Sequence, residues 1–172
     1  MVTSTPTALD ARLSKAVDLF PCELLFVHRD AEAEPPASRR EEIGRAVIGA
    51  FEVRRSPAWV PVIPVRMSEA WLLFDETAIR RAAGNPSGRA VLHLPSLARC
   101  EDVPDPKDLL SDILREASGL SARRRARLAI APMKRRVTEY TQDFAPLRAL
   151  AAFAALEREL QEAIVANGWG RR

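Results

Sequence analysis

At 172 residues, with 47% hydrophobic and 28% charged positions, the chain has the composition of one folded domain rather than a disordered tail. No apolar run reaches the length of a membrane-crossing helix, and Met1-Val2-Thr3-Ser4-Thr5-Pro6 lacks the basic and apolar stretches of an export signal, so a cytoplasmic chain without a membrane partner is expected. The net charge of +3 permits a phosphate-rich partner, while His28, His93, Cys22 and Cys100 fall outside zinc-ligand spacing and both cysteines are expected as reduced thiols near the core.

Leu9, Leu13, Ala16, Val17 and Phe20 recur at helical spacing, which predicts a first amphipathic helix stopped by Pro21. Glu23-Leu24-Leu25-Phe26-Val27-His28 is apolar on both faces, the pattern of a parallel strand covered by helices on each side. Beyond the Ala33–Ala37 loop, Ser38 and Glu41 form a capping-box pattern that opens a helix with Ile43, Ala46, Val47 and Ala50 on one stripe. A second strand is predicted over Val60–Val65; Pro61 and Pro64 lack N–H donors and place it near an edge.

Ser68 is expected to cap a short helix over Glu69-Ala70-Trp71-Leu72-Leu73, with Trp71 in the core, and Asp75 to cap its continuation to Ala83 before Gly84-Asn85-Pro86. Val91–Leu94 reads as a short strand. Asp105 followed by Pro106 opens a helix that turns Leu109, Leu110, Ile113, Leu114 and Ala117 inward. Basic helical segments over Ser121–Tyr140 and a last helix bearing Ala149, Phe153, Leu156, Leu160 and Ile164 complete the chain. The expected architecture is a single α/β domain over residues 1–172, mainly helical from 105 to 172, around a small parallel sheet of TOPRIM-like or Rossmann-like three-layer type. Two or three strands are few, because a two-stranded sheet is not stable alone. A second copy, a partner protein or a further N-terminal strand is therefore expected to complete it.

In open α/β sheets, ligands gather beyond the carboxyl ends of the strands. Asp30 and Glu32 follow the first strand, and alternation along an extended segment puts both on one side. Glu69 follows the second strand. Carboxylates converging there suit a hard cation such as Mg²⁺ or Mn²⁺, which takes oxygen ligands and keeps waters that a phosphate can replace. The alternative is three solvated surface carboxylates, with Glu69 favouring the first turn of its helix. Arg29, Arg66 and Lys107 can neutralise a phosphate in a transition state or simply serve as ion-pair partners.

The segments LLFVHRDAE, VPVIPVRMSEAWLLFDE, RRAAGNPSG, DPKDLL and DFAPLR together resemble a bacterial family of unknown-function proteins, over nearly the whole chain. More distantly, a strand ending in D-x-[DE] and a second strand followed by E-x-W-L-L are similar to topoisomerase-primase (TOPRIM) domains of bacterial defence nucleases. That resemblance implies metal-dependent phosphoryl transfer on nucleic acid, with Asp30 and Glu32 as the metal pair. Glu69 would be the acidic residue after the next strand, a further metal ligand or catalytic group; Arg66 and Lys107 are candidate catalytic cations from their positions near the site, not from the resemblance. Two departures stand out. Glu32 replaces the second aspartate of the family pattern, and no strand before Leu9 carries the glutamate that the pattern places first.

Arg123, Arg124, Arg125, Arg127, Lys134, Arg135 and Arg136 can follow a nucleic-acid backbone or form a solvated helix face; aromatic residues for base stacking are not interleaved. The chain has no Walker loop, dinucleotide fingerprint or nucleophile elbow, which leaves ATPase, dinucleotide and serine-hydrolase chemistry without support. Two readings stay open: a metal-dependent phosphodiester enzyme, and a non-catalytic accessory domain that is a truncated relative of the same family.

Overall fold

A computed structural model describes residues 8–32, 34–53 and 55–170, so Met1–Pro6, read above for an export signal, lies outside the described residues. The chain forms two compact units, Met1–Ile63 with Ala155–Arg172, and Pro64–Ala154. The described residues are mixed α/β, largely helical, with one two-stranded parallel sheet. None of their helices is long and apolar enough to cross a membrane.

The first unit begins with α1 (Leu9–Leu19), whose Leu13 is buried. Phe20 follows it at φ −134° and is 75% exposed, so leaving the helical conformation swings this residue off the expected stripe. Strand β1 (Leu24–His28) runs parallel to β2 (Ala58–Val62), with Leu25 opposite Trp59 and Val27 opposite Pro61. The intervening helix α2 (Pro36–Ala50) supplies the crossover that a parallel pair requires. Leu13, Val27, Ile43, Val47 and Phe51 form the core of this unit. Complete burial of Ile43 alone is worth about 1.5–3 kcal/mol relative to leaving it in water.

Three local expectations change. Helix α2 starts at Pro36, two residues before Ser38, because proline at the first turn fixes a helical φ and needs no N–H partner. Ser38 then lies inside the helix, and Glu41 pairs with Arg45 instead of closing a capping box. Strand β2 begins earlier and stops before Pro64, where no donor is available to continue it. Ala58 N–H donates to Glu23 and Val62 C=O accepts from Arg29, so alternation turns Pro61 toward the outer edge, where its missing N–H breaks no bond to β1. Helices were expected on both sides of β1, but Phe26 is 51% exposed, so the side opposite Val27 is open at that residue.

The second unit carries a 3-10 turn (Ser68–Leu72), α3 (Glu76–Ala82), a 3-10 turn (Leu97–Asp102), α4 (Pro106–Ala117), α5 (Ala122–Arg125), α6 (Ile130–Tyr140) and a 3-10 turn (Ala145–Ala149). The last helix, α7 (Ala151–Ala166), runs from this unit into the first, and Ala149 belongs to the preceding turn rather than to its face. Asp75 and Asp105 cap α3 and α4 as expected, accepting from Ala78 N–H and Asp108 N–H at 2.9 Å each. Leu110, Ile113, Leu114 and Ala117 are buried along α4, and Trp71 is core, edge-on to Phe153. Ser68 is the first residue of its turn and caps nothing, and Val91–Leu94 is not a strand.

The Gly84-Asn85-Pro86-Ser87-Gly88 segment joins two helix ends. Gly84 takes φ +75° to close α3, and the Asn85 amide donates to Ala117 C=O at the end of α4. Gly119 follows α4 at φ +65°, and a Cβ there would meet the same amide at 2.8 Å. Only glycine satisfies both the backbone conformation and the close approach.

Candidate functional site

Beyond the carboxyl end of β1 lies a cavity of about 330 Å³ lined by His28, Arg29, Asp30, Glu32 and Arg39. The strand positions its first members: His28 ends β1, and Arg29 N–H still bonds to Val62 C=O at 3.0 Å. The chain then turns. Ala31 is buried, Glu34 N–H donates to Ala31 C=O at 2.9 Å, and Glu32 lies at φ +54°. Extended alternation was expected to put Asp30 and Glu32 on one side; the turn brings both to the cavity by a different route. A left-handed glutamate costs about 1–2 kcal/mol, and such strain persists where surrounding structure holds it in place.

Glu42 of α2 organises the two arginines, accepting from Arg29 Nη2 at 2.7 Å and Arg39 Nη1 at 3.0 Å. The Arg39 hydrogen bond, followed by Arg29, holds the Glu42 carboxyl below its ordinary pKa against the opposing effect of burial. A carboxylate lowered in this way adds stability above its unfolded pKa, and the contribution is lost as pH falls through the folded value. With the outer nitrogens committed to Glu42, Arg29 Nε and Arg39 Nε are buried without hydrogen-bond partners. His28 Nε2 approaches Asp30 Oδ1 to 3.1 Å, outside hydrogen-bond alignment, so Oδ1 is also an unpartnered buried acceptor. These three unsatisfied polar atoms belong to residues that line the cavity, whereas buried polar groups are ordinarily paired.

Glu69, Arg66 and Lys107 belong to the second unit. Glu69 sits in the first turn of the 3-10 segment, as its helix-start reading anticipated, with its carboxylate 3.7 Å from Lys134 Nζ. Lys134 Nζ donates to Lys107 C=O at 2.8 Å. Burial lowers the Lys134 pKa, Glu69 opposes the shift, and Lys107 adds to it. Arg66 and the Lys107 side chain are exposed. Among the described residues, no three His, Cys, Asp or Glu side chains are grouped to hold a metal ion.

Arg39 and Glu42 were missed in the sequence because their relevance depends on the angle at which α2 meets the end of β1. Glu101 was missed too: burial raises its carboxyl pKa, although Trp71 Nε1 donates to it at 3.2 Å. Of the cysteines, Cys100 is buried with its thiol pushed up chiefly by burial, while Cys22 is exposed, contrary to expectation. Comparison with protein-family models, curated proteins and solved structures finds no match.

Proposed function

We propose that the cavity beyond β1 is a divalent-metal-dependent phosphodiester site, TOPRIM-like in its chemistry and acting on nucleic acid. The observation that carries this reading is the grouping of two carboxylate residues, Asp30 and Glu32, with two arginines, Arg29 and Arg39, around one cavity. Carboxylates and guanidinium groups lining one cavity suit a ligand with both cationic and anionic parts. A metal–phosphate pair has that composition.

The donor set fits the ion. Asp30 and Glu32 offer hard carboxylate oxygens, and Mg²⁺ is commonly held by one or two carboxylates, with water and substrate phosphate filling the remaining positions. When bound, Mg²⁺ or Mn²⁺ polarises a phosphoryl oxygen and acidifies its water. Arg29 and Arg39, fixed by Glu42, would orient the phosphate and offset charge developing on it. The roles proposed for Arg66 and Lys107 rest on their sequence positions, and that of Glu69 on its position after the second strand together with the resemblance.

A non-catalytic binding domain is the second reading. The observation that favours it is the Glu69–Lys134 approach, which gives that carboxylate a charged neighbour within its own unit.

Melting temperature followed during Mg²⁺ and Mn²⁺ titration tests the metal site. The proposal expects a rise in the wild type, since a ligand that binds the folded state stabilises it. Asp30→Ala should abolish the rise. No rise in the wild type, or an equal rise in the variant, contradicts the proposal.

A further inference from the structure

The sixteen residues Ser121–Arg136 contain seven lysines and arginines and no acid, more than twice the net charge of +3 carried by the whole chain. They occupy α5, the following turn and the first part of α6, all within the second unit. The fold does not treat these cations alike. Helix α6 packs through Val137, which is fully buried, and Lys134 lies one turn before it on the same face. That placement takes Lys134 to Lys107 C=O and Glu69. Arg135 is paired with Glu139 at 3.0 Å. Arg123, Arg124, Arg127 and Arg136 are exposed, and among the described residues their guanidinium groups have no hydrogen-bond or ion-pair partner.

We infer that these four free arginines form a sequence-independent binding surface for duplex nucleic acid.

Three observations select that partner. The single lysine of the run is the cation drawn inward, so the free positions are all arginine, whose planar fork pairs bidentately with phosphate. No aromatic residue lies between Ser121 and Glu139, and the Tyr140 ring carries the Arg81 guanidinium 4.6 Å from its centroid, so no free stacking platform accompanies the charge. A surface without stacking groups reads backbone charge, which is denser on a duplex than on a single strand. Among the described residues, the large exposed hydrophobic ones all lie outside this segment, whereas an anionic membrane would be met by cations flanked by insertable apolar side chains. Leu128 and Ile130 are half-buried, and Ala126 and Ala129 face solvent.

This surface lies apart in sequence from Asp30 and Glu32, and binding to it needs no metal. Fluorescence anisotropy of a short labelled DNA duplex, measured in a chelating buffer, is the test. Four phosphate contacts predict an affinity loss of about 10²-fold between 50 and 200 mM salt. Replacing Arg123, Arg124 and Arg127 together by glutamine should weaken binding and reduce the logarithmic salt slope by about three. Replacing Arg12, Arg45 and Arg99, which are also exposed, changes the net charge equally and should leave most of the affinity. Because binding is read in chelator and the variants touch no residue of the cavity beyond β1, failure here and failure of the metal site are separate results. Absence of duplex binding, equal losses in the two triple variants, or equally tight binding to phosphatidylglycerol vesicles at the same salt would overturn the inference.

Discussion

Glu32 holds the most informative backbone position in the chain, being the one non-glycine residue at positive φ among those described. If the turn after β1 were only a connection, glycine would serve it better, because glycine takes that conformation without a Cβ penalty. Glu32→Gly should therefore stabilise the metal-free protein by about 1 kcal/mol in chemical denaturation. The same variant should lose most of the Mg²⁺- or Mn²⁺-dependent rise in melting temperature. Stabilisation with an undiminished metal response would make the carboxylate dispensable. The sequence singled out Asp30 and Glu32 by their place after an apolar run. Their conformation was not legible, because a left-handed glutamate is a tertiary outcome that local pattern does not encode.

At the scale of elements, the features set by local chemistry were the readable ones. Asp75 and Asp105 cap where expected because a side-chain oxygen and the N–H groups of a first turn recognise each other within three residues. Pro36 overrode the Ser38 pattern through the helical φ its ring fixes, and Pro64 shortened β2 through its missing N–H donor. The placement of Lys134 depends on three separate elements and was read only as part of a basic run. Its folded pKa is lowered, so the fold disfavours its charged form. That cost is fully present below the folded pKa and disappears as pH rises through the unfolded value of 10.5. Glu69 partly offsets it. Glu69→Gln should lower the Lys134 pKa further, as followed by ammonium-selective NMR titration, and should reduce stability at neutral pH by about 1 kcal/mol or less. An unchanged Lys134 titration would show that Glu69 is not its electrostatic partner.

For the whole molecule, the parallel pair of β1 and β2 was legible because two short apolar runs flank an amphipathic helix. Full coverage of the sheet was not, since the openness around Phe26 depends on what packs beyond a five-residue strand. The division into two compact units likewise has no marker in composition. The proposed sites are divided in the same way: the cavity with Asp30, Glu32, Arg29 and Arg39 is in one unit, and the exposed arginines and Glu69 are in the other. The central claim is that the first of these is a metal-dependent phosphodiester site. The most direct measurement is cleavage of duplex DNA by the full chain with Mg²⁺, Mn²⁺ or chelator, in parallel with Asp30→Ala, Arg39→Gln and Glu69→Ala. The account predicts metal-dependent cleavage by the wild type, at least about 10²-fold slower in Asp30→Ala and Arg39→Gln. Glu69→Ala decides whether that carboxylate takes part. Absence of cleavage with either metal, or cleavage that persists undiminished in Asp30→Ala, would contradict it.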